Sequence, residues 1–250
     1  TIDAFAKAGV TRASLGVLVL DEEPAPGGAL ARWPGQIELD GRAAPARTHA
    51  ERLASDATAA GAELIARASA LGVFRETDGV RRVLAVTAEG SVVLTPRRIV
   101  IAMGRAETGW AFAGNDLPGI HGVDAALRAL AAGVLVGERP ALFGDGEAMN
   151  ALATALRDAG ARPSGPHPLA SLRRARGRNG VTSVDLEGAG GVSERVKCDA
   201  LVVASPEGAV FELAAQAGAE VFFSGEAFEV RASVADGATR SDFVRVIGGA

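Results

Sequence analysis

Apolar positions in this chain come mostly in short runs of strand length, set between helical stretches and punctuated by glycine and proline. Residues 1–15 carry Ile2, Phe5, Ala6, Val10 and Leu15 at loose helical spacing, with Gly16 placed to end a helix. Val17, Leu18, Val19 and Leu20 then make a short apolar strand, closed by Asp21, Glu22 and Glu23. The spacing of Leu53, Ala57, Ala60, Leu64, Ile65 and Ala68 predicts one long helix over 46–71, ended by Gly72. Strand-like runs at 73–76, 83–88 and 91–94 follow, with Glu89-Gly90 suited to a tight hairpin, so this stretch reads as a small antiparallel meander. Ile99, Val100 and Ile101, running into Ala102-Met103-Gly104, predict a buried strand.

Beyond Gly104 the pattern starts again. A helix is expected over 123–132, a short strand over 140–143, a loop Gly144-Asp145-Gly146-Glu147-Ala148-Met149-Asn150 and a helix over 148–159. Pro163, Pro166 and Pro168 cannot donate to a sheet ladder, so 162–168 reads as a polar connection. Paired strands at 180–186 and 194–196, a buried strand at 201–204 and a helix over 211–219 complete the second set. A last strand within 243–249 should rejoin the first half. The fold class is α/β: two Rossmann-like dinucleotide-binding halves with an antiparallel β-meander inserted in the first.

Composition narrows the classes. With 250 residues the chain has room for one large domain or two small ones. Apolar residues make up 48%, yet no uninterrupted apolar run approaches the roughly 20 residues that a membrane span needs. A soluble protein in the cytoplasm, with no membrane span, is expected. A net charge of −4 with interspersed signs offers no footprint for nucleic acid. Arg173, Arg174, Arg176 and Arg178 are the exception, read as a solvated loop. The single cysteine, Cys198, excludes an internal disulfide or a Cys-x-x-Cys pair within this chain, and its place before the apolar run 201–204 makes it a buried structural thiol. His49, His121 and His167 fit no metal-ligand or triad spacing and read as structural or surface residues.

Candidate chemistry concentrates at strand ends. In a Rossmann-like half, an acidic residue at the end of the second strand accepts hydrogen bonds from the adenosine ribose. Asp21, with Glu22 beside it, is placed for that role, while an acidic residue also simply terminates a strand, and both readings stay open. Gly27 and Gly28 would let backbone approach a cofactor, or make a plain turn; Gly104 lets the chain turn near the same place. Gly144 and Gly146 stand between a strand and a helix, the context of a dinucleotide loop. No third glycine follows in that loop, which runs on through Met149 and Asn150, and Asp145 and Glu147 put like charge where a phosphate would approach. A loop packing helix on strand is preferred there over a nicotinamide site, so neither NAD nor another adenine nucleotide is expected in the second half.

The stretch from Arg97 to Ile120, RRIVIAMGRAETGWAFAGNDLPGI, resembles the segment by which two-dinucleotide-domain flavoproteins leave their FAD domain. Its tail, Asn115-Asp116-Leu117-Pro118-Gly119-Ile120, resembles the FAD/NAD-binding subunits of heteromeric amine and imino-acid oxidoreductases. That group includes the sarcosine oxidase alpha subunit, octopine and nopaline oxidase subunits, hydroxyproline dehydrogenase and hydrogen cyanide synthase. The likeness runs from about Val17 to Gly249 and takes in the turn Pro24-Ala25-Pro26-Gly27-Gly28 behind Asp21. It implies an FAD-type domain over 1–120 with about 240–250, an NAD-type domain over 121–239, FAD as cofactor, and a catalytic oxidoreductase subunit as partner in a hetero-oligomer. Departures from the family are specific. Its Gly-x-Gly-x-x-Gly loop does not precede Val17, and is missing, supplied by another chain, or lost. Met103 stands where the family has Thr, and Val246-Ile247-Gly248-Gly249-Ala250 lacks the family's aspartate.

Three functional readings follow. In the first, the chain is a subunit of a flavin-dependent amine or imino-acid dehydrogenase or oxidase, with a partly degenerate adenine-dinucleotide site, and the main substrate oxidation lies on a partner. In the second it is a non-catalytic scaffold that keeps the fold. In the third it is an adenine-nucleotide sensor using the first half alone.

Overall fold

In the computed structural model, which describes residues 16–76, 80–231 and 244–247, the first apolar run forms strand β1 (Val17–Asp21). The helix expected over 1–15 lies outside the described residues. A turn leads to a short helix α1 (Gly28–Arg32) and a hairpin, β2 (Gln36–Leu39) with β3 (Arg42–Pro45). Asp40 and Gly41, at φ 54° and 70°, close that hairpin, the backbone that a two-residue primed turn requires.

The long helix expected over 46–71 is corrected. Helix α2 covers Ala46–Ala59, Gly61 turns the chain at φ 97°, and Ala62–Ala66 becomes strand β4. β4 lies parallel to β1, with Leu64 opposite Val19 and Ile65 opposite Leu20. A glycine in the left-handed region ends a helix, and the short apolar run beyond it gains a strand partner that helical spacing could not reveal. The meander is as expected: β5 (Ser69–Arg75), β6 (Arg81–Thr87) and β7 (Gly90–Leu94) are antiparallel, with Val83 opposite both Val73 and Leu94. β8 (Ile99–Ile101) pairs in parallel with Val244–Val246, the last described strand, which rejoins the first half as expected.

After β9 (Arg105–Glu107) come β10 (Ile120–Gly122), helix α3 (Val123–Ala131), β11 (Pro140–Phe143), helix α4 (Glu147–Asp158) and β12 (Ser164–His167). An antiparallel sheet of β13 (Leu172–Gly177), β14 (Val181–Glu187) and β15 (Ser193–Lys197) follows, then β16 (Ala200–Val203). β17 (Glu207–Ala209), helix α5 (Glu212–Gln216), the hairpin β18 (Val221–Phe223) with β19 (Phe228–Val230), and β20, the Val244–Val246 strand, complete the described chain.

These elements gather into two compact units, one holding the described parts of Thr1–Gly28, Ala50–Ala106 and Glu207–Ala250, the other Ala29–His49 and Glu107–Pro206. Where the resemblance implied 1–120 with about 240–250 and 121–239, the compact units put 29–49 and 107–120 with the second and the described part of 207–239 with the first. Arg32 joins the second unit through an ion pair to Asp124 on α3 (2.9 Å). Ala209, Ala214, Ala217 and Val230 join the first, in one core with Val73, Val83, Ile101 and Val244.

The second unit is built on a parallel sheet in the order β10-β16-β11-β12. Every residue of β11 and β16 is buried, as expected of parallel strands covered on both faces. Leu142 and Val202 face Leu127 of α3 and Met149, Leu152 and Leu156 of α4. Ala141, Phe143, Leu201 and Val203 face Leu172, Ala175, Val184 and Leu186 of the antiparallel sheet. Each fully buried Leu or Phe contributes roughly 1.5–3 kcal/mol relative to exposure. Among the described residues no helix is long and apolar enough to cross a membrane.

Two sequence expectations in this unit are corrected. The proline-bearing stretch is not a connection but contains β12, paired with β11 on one side only, and the pairing is irregular between Ala141–Ser164 and Phe143–His167, where Pro166 falls. Proline is tolerated on an edge strand at such an irregularity. The arginines read as a solvated loop are largely in β13: Arg173 pairs with Glu187, and Arg176 with Asp185, to which Arg195 also donates (2.7 Å). Cys198 is buried as expected, and burial pushes its thiol up to about 11.

The two arginines donating to Asp185 hold its carboxyl at about 2, against an ordinary value of 3.8. A carboxyl depressed in the folded state adds stability above its unfolded value, and that contribution is lost as pH falls toward the folded one. Replacing Asp185 by Asn should therefore lower the urea midpoint at neutral pH, with the gap from wild type closing as pH falls from about 4 toward about 2. A gap that stays constant over that range would contradict this.

Candidate functional site

In the first unit the candidate residues sit where the parallel pair β1–β4 ends. Asp21 is the last residue of β1, opposite Ala66. Its Oδ1 accepts the N–H of Glu23 (2.9 Å), which fixes the carboxylate across the turn, and its Oδ2 has no hydrogen-bond donor among the described residues. Backbone bonds from Ala68 to the Asp21 carbonyl (2.9 Å) and from Arg67 to that of Glu23 (3.0 Å) tie the turn to the end of β4. Glu22 is exposed. Gly27 and Gly28 have φ of 137° and 51°, and a Cβ on Gly28 would meet nothing within 4 Å. The glycines are thus required by backbone conformation, and the space beside Gly28 is open to a ligand. Gly104, at φ 70°, lies beyond β8 on the other parallel pair, and its carbonyl accepts the Val210 N–H (3.1 Å). The structure therefore groups Asp21, Glu22, Gly27 and Gly28 on one turn and gives Gly104 to a second strand end of the same unit.

Sequence reading missed Arg67 at this edge. It holds φ 54°, a conformation uncommon for a residue with a side chain, and its side chain is exposed. Strain of this kind collects at functional positions. Nothing in the local sequence signals it.

Gly144 and Gly146 lie in the second unit and serve different ends. A Cβ on Gly144, at φ 112°, would come within 2.6 Å of the Ala204 Cβ and 3.2 Å of its carbonyl oxygen. Gly144 is therefore consumed by the close approach of the chain leaving β11 to the chain leaving β16. Gly146 (φ 98°) precedes α4 with open space around it, flanked by the exposed carboxylates Asp145 and Glu147.

A cleft of about 330 Å³ in the second unit was not anticipated from sequence; Glu107, Trp110, Phe112, Asn115, His121 and Ser205 are among its walls. Among the described residues Glu107 is its one charged wall. Its carboxylate sits on the start of α3, accepting the N–H groups of Val123 (2.8 Å) and Asp124 (3.3 Å). Gly122 supplies no side-chain cap there, and a Cβ on it would overlap the Glu107 Oε2. A carboxylate at a helix N-terminus interacts favourably with the helix dipole and satisfies N–H groups that have no partner within the helix. Burial lowers the His121 imidazole below its ordinary value, which keeps it neutral near pH 7. Ser205 Oγ accepts the Gly109 N–H (3.3 Å), and Asn115 Nδ2 donates to the Trp110 carbonyl (3.4 Å). The only hint in the sequence is that all but Ser205 lie in or next to the polar stretch that follows Gly104. No group of His, Cys, Asp and Glu fit to hold a metal ion occurs among the described residues.

With these features in place, the chain has the mixed α/β fold of two-domain FAD/NAD(P)-binding oxidoreductases. It is similar to L-proline dehydrogenase from P. horikoshii, with a TM-score of 0.75 and 22% identity, over 93% of this chain and 45% of that one. This chain thus spans under half the length of that enzyme. It is also similar to thioredoxin reductase from T. acidophilum (TM-score 0.60, 14% identity, 94% of this chain and 82% of that one). A FAD-dependent pyridine nucleotide-disulphide oxidoreductase from Desulfovibrio vulgaris is a third relative in fold (TM-score 0.55, 15% identity, 92% and 62%). No protein-family profile matches the chain, and no curated protein matches it in sequence.

The two glycines of the second loop should differ on substitution. Gly144→Ala meets both a disfavoured φ and the Ala204 contact, and should cost about 2–4 kcal/mol by denaturant unfolding. Gly146→Ala meets only the φ, and should cost about 1–2 kcal/mol. Equal losses would remove the packing role given to Gly144.

Proposed function

We propose that this chain is part of a flavin-dependent oxidoreductase acting on an amine or imino acid, in which it contributes an adenine-dinucleotide site while the main substrate oxidation lies on a partner chain in a cytoplasmic hetero-oligomer. The observation that carries the reading is the turn after β1. Asp21 offers an oriented carboxylate whose Oδ2 receives no donor among the described residues, directly before a turn in which Gly28 leaves room for a ligand. That donor set suits FAD: the Asp21 carboxylate would accept the ribose hydroxyls, and the backbone at Gly27, Gly28 and Gly104 would allow close approach. Bound flavin supplies the hydride chemistry, and this chain supplies position and charge. The fold likeness to L-proline dehydrogenase and to a FAD-dependent oxidoreductase supports the substrate class and the cofactor. In this reading the NAD-type half keeps its architecture, while Gly144 packs on Ala204 and Asp145 and Glu147 repel phosphate.

A second reading, a scaffold subunit without cofactor, is favoured by that same second loop, whose first glycine is already used for packing. Asp21 separates the two. Loss of a charge-assisted hydrogen bond amounts to roughly 1.5–3 kcal/mol, so Asp21→Ala should weaken FAD binding about ten-fold or more while circular dichroism and assembly stay as in wild type. Unchanged flavin occupancy in Asp21→Ala would remove the site assignment.

A further inference from the structure

The arginines that the sequence places together at 173–178 meet a second set of cations across their sheet. β14 is the central strand, with β13 and β15 on its flanks. The register sets Arg174 and Arg195 on either side of Asp185, and Arg176 and Lys197 on either side of Ser183. Residues paired across strands share a face, so four cations stand on one face, about 7 Å apart along each strand and about 10 Å apart across the sheet. Leu172, Ala175, Val184 and Leu186 take the other face, toward the core, and Glu194 and Val196 alternate to that side. Arg173, at the irregularity before Arg174, is matched by Glu187. Five cations against Asp185 and Glu187 leave an excess of three positive charges, in a chain whose net charge is −4. Two of the four paired cations are held in place. Asp185, only 8% exposed, has Oδ2 2.6 Å from both Nε and Nη2 of Arg176 and accepts Arg195 Nε on Oδ1 (2.7 Å). Each guanidinium keeps further N–H donors unspent, and a ligand that meets side chains already fixed gives up less conformational freedom. Arg174 and Lys197 are exposed and make no side-chain hydrogen bond or ion pair among the described residues.

We infer that this face of the β13–β15 sheet is a docking surface for an extended acidic segment of another protein chain, one that carries Asp or Glu at alternate positions. In an extended segment, side chains two residues apart lie on one side at a spacing of about 7 Å. That is the spacing from Arg174 to Arg176 and from Arg195 to Lys197, so alternate carboxylates meet the cations in step, and arginine forks suit carboxylates. A segment whose acidic residues are contiguous turns half of them away. Nucleic acid fits less well. β13, β14 and β15 contain no aromatic side chain on which a base could stack, and Asp185 stands in the middle of the face, where a continuous run of phosphates would meet like charge. The inference goes beyond the flavin reading and does not depend on it, since all three strands belong to the second unit.

The test uses a fluorescein-labelled peptide of four Glu-Thr repeats, titrated with the purified full-length protein at low ionic strength and followed by fluorescence anisotropy. Saturable binding is expected. A peptide of the same composition, with four Thr followed by four Glu, should bind at least three-fold more weakly. Arg174→Gln with Lys197→Gln removes the two unpartnered charges and should weaken the alternating peptide about five-fold, at about two-fold for each exposed ion pair. Both side chains are exposed, so the circular dichroism spectrum should stay as in wild type. Arg174→Glu with Lys197→Glu should weaken it at least ten-fold. Arg97→Glu with Arg98→Glu, an equal change of net charge at exposed positions of the first unit, should weaken it less than two-fold. The inference is overturned if the alternating peptide does not bind, if the block peptide binds as well, if the Gln pair binds like wild type, or if the Arg97 and Arg98 reversal costs as much as that of Arg174 and Lys197. A labelled oligothymidylate of eight nucleotides that binds as tightly as the peptide would also overturn it, in favour of a nucleic-acid surface. Flavin occupancy of Asp21→Ala reports on the other unit, so failure of either proposal is distinguishable from failure of the other.

Discussion

The pairing of β11 with β16 is the constraint on which the architecture of the second unit depends. Four residues on each strand meet in register from Pro140–Ala200 to Phe143–Val203, and all are buried. Alternation sends Leu142 and Val202 to the helices and Ala141, Phe143, Leu201 and Val203 to the antiparallel sheet, so one short ladder organises two cores. It also fixes what happens at the carboxyl ends of its strands. The chain leaving β11 must pass Ala204 so closely that only glycine fits, and the chain leaving β16 carries Ser205 to the wall of the Glu107 cleft.

Parallel pairing produces a different outcome in the first unit. β1 and β4 end in a turn held by backbone bonds and by Asp21 itself, and Gly28 of that turn faces open space rather than a neighbouring strand. Similar glycine-and-carboxylate signatures in the sequence thus resolve into two physical situations. At Gly144 the small residue answers an internal contact; at Gly27 and Gly28 it answers backbone conformation, with open space beside Gly28. The proposed division of labour between a cofactor-holding half and a packing half rests on that difference.

Much of the frame was legible in the sequence because it depends on local patterns. The strand closed by Asp21, the meander and the strand–loop–helix at 140–159 all carry their own turn residues and burial patterns. The Asp40-Gly41 hairpin was equally legible, being the strongest short turn signal available, yet no strand was expected there. What escaped depends on partners far away in the chain. Leu64 and Ile65 become a strand because β1 is beside them; Arg173 and Arg176 become strand residues because Glu187 and Asp185 stand opposite on β14. Glu107 caps a helix that starts sixteen residues later, and no spacing rule joins the two. The glycines, for their part, were visible, but whether a Cβ would strike Ala204 or nothing at all is a property of the packed chain.

The most direct test of the central claim is the absorbance spectrum of the purified protein, alone and with whatever co-purifies, followed by acid release and identification of any bound nucleotide. The account predicts flavin bands and released FAD, in the chain itself or on assembly with its partner. A protein that is colourless in both states and takes up no FAD would contradict it.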